Sequence, residues 1–188
     1  MSIIKDNVLV TGASGKLGKQ IVFRLWSGDT FLTKAPVWNR SAEESEPRKA
    51  HKLRFKAASI YAKKVMGDVD LKPAYQKKCK ARQNVFARAM QDFLNAPNID
   101  EINLSNYTGE PDSFIRIYAT DDFRVNKVRV RIENQQGETV ETGLAERESD
   151  TDWWKFIATV ANPLSEGGKV IVSAYDLPGN EATKEMSF

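Results

Sequence analysis

Cysteine and histidine are almost missing from this chain: Cys79 and His51 are the single examples of each in 188 residues. One thiol cannot close an internal disulfide, and one thiol with one imidazole cannot assemble a cysteine/histidine zinc cluster. Long apolar runs are also lacking. No stretch approaches the roughly 20 apolar residues of a membrane-spanning helix. The start of the chain, with Lys5, Asp6 and Asn7, has no hydrophobic region of the kind a secretory signal needs. The expectation is a cytoplasmic protein, with release by a non-classical route or within a particle as the alternative. With 41% hydrophobic and 28% charged residues, the composition supports one large domain or two small ones.

A small net charge of +3 conceals a strong asymmetry. Residues 1–98 hold 19 Lys/Arg against 8 Asp/Glu, a net +11, whereas residues 99–188 hold 9 against 17, a net −8. Opposite signs on two halves suggest modules with different surfaces and complementary partners. Composition changes at the same point. Ala- and Lys-rich stretches give way after Ala96-Pro97-Asn98 to short β-branched runs separated by turn residues. The expected organisation is therefore α+β in two modules: a basic hairpin and three-helix module over 1–98, and an acidic seven-strand module over 99–188.

In the basic half, Leu53, Ala57, Tyr61 and Val65 recur every four residues and are joined by Ile60, predicting an amphipathic helix over 45–66. Pro47 suits its first turn and Gly67 its end. Asp70 is placed to cap a second helix running to about residue 80. Asn84 or Gln83 opens a third, with Val85, Phe86, Ala89, Met90, Phe93 and Leu94 inward and Pro97 as its stop. Lys49, Lys52, Lys56 and Lys63 share roughly one side of the first helix, and Lys77, Lys78, Lys80 and Arg82 crowd the second. These cations read either as a solvated face or as a surface that tracks phosphates by counterion release. No helix-turn-helix, zinc-finger or RNA-binding aromatic signature accompanies them. His51 is expected to be exposed. Cys79 reads as a small core residue, with a reactive thiol among lysines as the alternative.

The first residues pose a choice between two folds. Val8-Leu-Val-Thr-Gly-Ala-Ser-Gly-Lys-Leu-Gly resembles the nucleotide-binding start of the short-chain dehydrogenase/reductases, in which glycines such as Gly12, Gly15 and Gly18 would hold the pyrophosphate of NAD or NADP at a helix N-terminus. Leu17, Ile21 and Leu25 even have helical spacing. That resemblance implies a catalytic Tyr followed four residues later by Lys. The residues four beyond the five tyrosines are Val65, Cys79, Pro111, Asp122 and Gly179, so the pair is absent. Alternation through 20–26, then Ser27-Gly28-Asp29-Thr30, then 31–35 favours a β-hairpin, with the glycines in turns.

Over nearly its whole length the chain also resembles uncharacterised bacterial proteins, through Gly15-Lys-Leu-Gly, Ile21-Val-Phe-Arg, Gly28-Asp-Thr-Phe-Leu-Thr-Lys, Arg54-Phe-Lys-Ala-Ala, Tyr61-Ala-Lys and Asp92-Phe-Leu-Asn-Ala-Pro. The resemblance implies an N-terminal hairpin, a small helical segment and a C-terminal immunoglobulin-like domain. It carries no catalytic residues.

The acidic half predicts strands at 101–104, 113–119, 127–133, 139–143, 153–160, 169–175 and 183–188. Seven short strands at this spacing suggest an immunoglobulin-like sandwich. Val128, Val130 and Ile132 alternate with Lys127, Arg129 and Arg131, giving one buried and one wet face. Ile115, Ile117, Trp154, Phe156, Val170 and Val172 are the expected core partners. Ala119-Thr-Asp-Asp and Ala174-Tyr-Asp-Leu-Pro-Gly-Asn resemble the repeats of bacterial surface and fibre proteins.

In that fold the loops at 120–126, 145–152 and 176–182 share one end. Their charges would be Asp121, Asp122, Glu146, Glu148, Asp150, Asp152, Asp176 and Glu181. Calcium on Asp121, Asp122 and Asp176 competes there with turn-capping by the same side chains. The leading expectation is a non-enzymatic interaction protein whose basic module meets this acidic end, in the same chain or in a neighbour. Residues 7–10 would be an exposed strand able to add to a neighbour's sheet. Such contacts make homo-oligomers or filaments, or place the chain in a larger assembly.

Overall fold

The computed structural model describes residues 2–4, 7–37, 44–149, 151–162 and 167–188. Its contacts divide the chain into two units, Met1–Lys49 and Ala50–Phe188.

In the first unit, β1 (Ser2–Ile4), β2 (Gly15–Leu17), β3 (Ile21–Trp26) and β4 (Asp29–Lys34) form an antiparallel sheet in the order β1-β4-β3-β2. The expected hairpin is its centre. Ser27 and Gly28 turn it at φ 54° and 87°, the doubly positive geometry whose twist matches that of the flanking strands. Residues 7–10, expected to be extended, form a turn instead. The Asn7 carbonyl accepts the Val10 and Thr11 N–H groups at 3.2 and 2.9 Å, and its Oδ1 accepts that of Leu9 at 3.0 Å. An Asn side chain that bonds its own backbone competes with a strand ladder. The strand that does join the sheet from this region is β1.

The second unit starts inside a helix. α1 (Glu46–Gly67), α2 (Leu71–Lys77) and α3 (Val85–Leu94) precede β5 (Asn98–Asn103), β6 (Phe114–Thr120), β7 (Val125–Glu133), β8 (Thr139–Arg147), β9 (Trp153–Ile157), β10 (Lys169–Asp176) and β11 (Glu181–Ser187). The strands are antiparallel in the order β11-β10-β7-β8-β9-β6-β5. The sheet curls until its edges nearly meet, where Lys184 Nζ on β11 donates to the Ile99 and Asp100 carbonyls of β5 at 3.1 and 2.6 Å. Seven strands were expected and seven are present. The chain is thus α+β, with three helices and two sheets among the described residues.

The second unit has two cores. The anticipated Ile115, Ile117, Trp154, Phe156, Val170 and Val172 join Val128, Val130 and Ile132 inside the seven-stranded sheet. Each such side chain contributes about 1.5–3 kcal/mol on burial. The other core gathers Ala58, Ala62 and Val65 of α1, Tyr75 of α2, and Ala89 and Met90 of α3 around Phe123, which comes from the β6–β7 loop. Because Phe123 belongs to this core, the helices and the sheet form one unit. The division accordingly falls between Lys49 and Ala50 and not at the compositional break after Asn98.

The inward face of α1 is rotated from the expected one. Leu53 and Ile60 are 68% and 51% exposed, while Ala58 and Ala62 are fully buried, since alanines let a neighbouring helix approach closely. Arg54 donates to the Leu94 carbonyl of α3 at 2.9 Å, and the Tyr61 ring lies 5.5 Å from that of Phe93. α2 also differs: its first N–H groups are capped by Asp68, whose Oδ1 accepts from Asp70 and Leu71 at 2.9 and 2.8 Å, and Asp70 makes no side-chain cap. α3 is capped as expected, Asn84 Oδ1 accepting the Ala87 N–H at 2.7 Å. Among the described residues, no helix is long and apolar enough to cross a membrane.

Candidate functional site at the helical end of the sheet

The strand directions bring the β6–β7, β8–β9 and β10–β11 turns to the end of the sheet on which the helices stand. Most of the polar groups buried in this unit lie there, starting from α3. Its positions 85, 88, 89 and 92 share one helical face, so Arg88 and Asp92 point inward beside Val85 and Ala89. Asp92 is fully buried and Arg88 is only 5% exposed.

Asp92 Oδ2 accepts a hydrogen bond from the Tyr75 hydroxyl. Tyr75's proton is thereby committed, so the Tyr61 hydroxyl, 2.8 Å away, donates to Tyr75. The other Asp92 oxygen and Asp121 Oδ1 are both buried and find no donor, yet the two carboxyl groups lie close enough to bond each other. When the Asp92 carboxyl is neutral, its proton gives both oxygens a partner. Burial is the main cause raising the Asp92 carboxyl from its usual 3.8 to about 7, assisted by the nearby Asp121 and Asp176 charges and opposed by the Tyr75 hydrogen bond. Burial likewise raises Asp176, although hydrogen bonds from Asn180 and Gly179 oppose the shift. Tyr75 and Tyr61 are raised, in each case chiefly by burial, and both remain neutral phenols at ordinary pH.

Two further clamps fasten α3 to this end. Asp122 accepts from Gln91 Nε2 at 3.0 Å and from Asn95 Nδ2 at 2.5 Å, with Arg88 Nη1 at 3.6 Å. From the β10–β11 turn, Asn180 Nδ2 reaches the Asp92, Phe93 and Asn95 carbonyls at 3.3, 3.1 and 3.0 Å. It thereby meets unpaired carbonyl groups at the C-terminal end of the helix from 85 or more residues away in sequence. Asp176, 1% exposed, fixes that turn by accepting the Gly179 and Asn180 N–H groups at 2.8 and 2.6 Å.

Beside the clamps a cleft of about 460 Å³ opens between α2 and the sheet, lined by Lys77 and Lys78 on one side and Arg124 on the other, over Pro73, Phe123 and Val125. Arg124 lies over the Phe123 ring at 5.5 Å. Arg147 and Asp152, also at the cleft, pair at 2.8 Å. The arrangement buries a carboxyl pair inside, and outside it sets Lys77, Lys78 and Arg124 beside Asp70, Asp121 and Asp152 around one cleft.

The acidic loops do converge at one end. Asp121, Asp122 and Asp176, considered above for calcium, form no three-ligand group among the described residues. Asp121 Oδ2 accepts the Phe123 and Arg124 N–H groups at 2.9 Å each, and the other two serve the clamps, so turn-capping and docking use their oxygens. Glu148 makes a two-pronged pair with Arg116 at 3.1 and 2.6 Å. Glu146 lies opposite Lys155 across β8 and β9, and Glu181 accepts the Tyr175 hydroxyl at 2.7 Å. Asp150 lies outside the described residues.

Of the basic residues, Lys49 pairs with Glu46 at 2.7 Å, and Lys52, Lys56, Lys63 and Lys80 lie exposed with Arg82, which takes φ 64°. His51 is exposed as expected. Cys79 is half-buried, its Sγ 3.4 Å from the Tyr75 carbonyl.

Gly12, Gly15 and Gly18 do not build a dinucleotide cradle. Gly15 opens an antiparallel edge strand, Gly12 and Gly18 sit in turns at φ 79° and 63°, and β3 follows where a crossover helix would be needed.

No protein-family model and no curated protein matches the chain. One solved structure that aligns with it is the N-terminal part of the bacterial S-layer protein SbsC, at 13% identity and a TM-score of 0.30, covering 74% of this chain. The chain spans 38% of the length of that structure. A likeness this slight carries no argument about fold or function.

Proposed function

We propose that this chain is a non-enzymatic structural protein that works by contact with other protein copies, combining a small adhesive sheet with a helix-capped immunoglobulin-like domain. The strand order supports the immunoglobulin-like reading. Taken as A to G, β5, β6, β9 and β8 give the A-B-E-D sheet, and β7, β10 and β11 give C-F-G, with β8 pairing to both. Domains of this class in bacterial surface proteins bind, space or assemble.

The observation that carries the interaction reading is the thinness of the N-terminal sheet. Only Val22, Thr30 and Phe31 are buried in it, whereas Ile3, Leu17, Leu25 and Trp26 are 48%, 63%, 52% and 57% exposed. A unit of this size, Met1–Lys49, buries a smaller share of its surface than a larger domain, and apolar side chains left in water mark contact surfaces. β2, at the edge of the sheet, also offers unpaired backbone groups. Sedimentation of the full chain should show association that grows with concentration. A strict monomer at about millimolar concentration, far above the micromolar range of specific complexes, overturns this reading.

A second reading, nucleic-acid binding, is favoured by the exposed Lys52, Lys56 and Lys63 along α1. It requires retention of DNA or RNA with a steep salt dependence, and no retention at low salt ends it.

A further inference from the structure

The charge asymmetry of the sequence acquires a direction in the second unit. Residues 50–98 hold 11 Lys/Arg against 3 Asp/Glu, a net +8, and residues 99–188 carry −8. The unit is neutral as a whole, its helices carrying the positive half of the balance at one end of the sheet, beside the acidic loops. The aspartates once expected to meet a neighbour's helices, Asp121, Asp122 and Asp176, are occupied within their own chain. The opposite end carries exposed acidic side chains of its own.

Strand directions define that far end: the β5–β6 connection and the β7–β8 turn lie there together. It presents Glu110, Asp112 and Glu138, all exposed and without an ion pair among the described residues. The cations nearby, Arg131 and Lys169, are engaged by Glu133 at 3.0 and 3.5 Å, and Lys169 also by Glu185 at 3.2 Å. At the helical end, Lys77, Lys78 and Arg124 line the cleft, exposed and without ion pairs among the described residues, together with Asp70, Asp121 and the paired Arg147 and Asp152.

We infer that the second unit docks head to tail on a second copy of this chain, the Glu110, Asp112 and Glu138 end of one copy meeting the Lys77, Lys78 and Arg124 cleft of the next. The contact surfaces differ on the two partners, so the arrangement propagates into an open chain or a ring. The inference rests on the assembly reading above and names the surfaces for it. Exposed charges are screened over about 8 Å at physiological salt, so the contact is salt-sensitive.

The test uses the full chain and two charge reversals, Lys77→Glu with Lys78→Glu, and Glu110→Lys with Glu138→Lys. Asp112 is left alone because it takes φ 68°, where lysine adds strain. Circular dichroism and thermal melting establish that both variants fold. In sedimentation velocity at low salt, each variant alone loses association, and an equimolar mixture regains it because the reversed ends complement one another. Association unchanged in both variants, or lost in both and not regained on mixing, overturns the head-to-tail contact. Unchanged association leaves the assembly reading standing on the N-terminal sheet. A wild-type chain that never associates removes both.

Discussion

The two antiparallel sheets of this protein use the same alternation of apolar and polar residues and reach opposite outcomes. In the seven-stranded sheet, inward residues such as Ile117, Val130 and Val172 are fully buried, because the sheet curls over on itself and its edges are laced by Lys184. The four-stranded sheet has no second layer of its own. Val22 and Phe31 are covered while Leu17, Leu25 and Trp26 lie half or more in water. Alternation decides which side chains share a face; it does not decide whether anything covers that face. The seven-stranded sheet is a finished core and the four-stranded sheet an unfinished one.

Core truncation should expose this contrast most strongly. Ile117→Ala is expected to destabilise the second unit by about 3–4 kcal/mol, and Val22→Ala the first by about 1 kcal/mol, read from urea midpoints with probes in each unit. Equal losses would show that the N-terminal sheet is as well packed as the larger one.

The next effect separates the units by pH. Folding raises the Asp92 carboxyl from 3.8 to about 7, so between these values the folded chain holds a proton that the unfolded chain has released. The stability this group contributes is complete below about pH 4 and is lost as the pH rises through 7. Asn at this position keeps an acceptor for Tyr75 and supplies a permanent donor to Asp121. Asp92→Asn should therefore match the wild type near pH 4 and exceed it by about 2 kcal/mol at pH 8, within the limit set by a shift of this size. The N-terminal sheet should keep its own pH profile. A variant less stable than wild type at pH 8 would show that Asp92 is not the group that sets this dependence.

The smallest effect on stability falls in the first sheet. Leu25→Ser with Leu17→Ser should leave the melting of both units within about 0.5 kcal/mol, as exposed positions do, while lowering association in sedimentation. If association is unaffected, the contact lies elsewhere on the molecule.

Much of the larger sheet could be read in advance, because strand alternation and turn residues are local signals. The seven strands and their inward residues follow from them, as does the cap at Asn84. What the sequence concealed is long-range. Arg88 and Asp92 sit at core positions of α3 by spacing, one turn apart beside Ala89, but their charge reads as surface until Tyr75, Asp121 and Asp122 are known to face them. That spacing, three residues on from Val85 and from Ala89, was the signal available. Asn180 lay within a recognisable Leu-Pro-Gly-Asn turn, and nothing local tells that its amide ends a helix begun nearly a hundred residues earlier. The rotated face of α1 has the same origin, since the neighbour that selects Ala58 and Ala62 over Leu53 and Ile60 is distant in sequence.

The lysine seam between β5 and β11 has a wider consequence. With the Ile99 and Asp100 carbonyls occupied by one ammonium group, the start of β5 offers no open row of acceptors to a stranger. A barrier at that edge is chemical as well as geometric: a strand arriving from another chain would have to displace a charged donor before it could pair there.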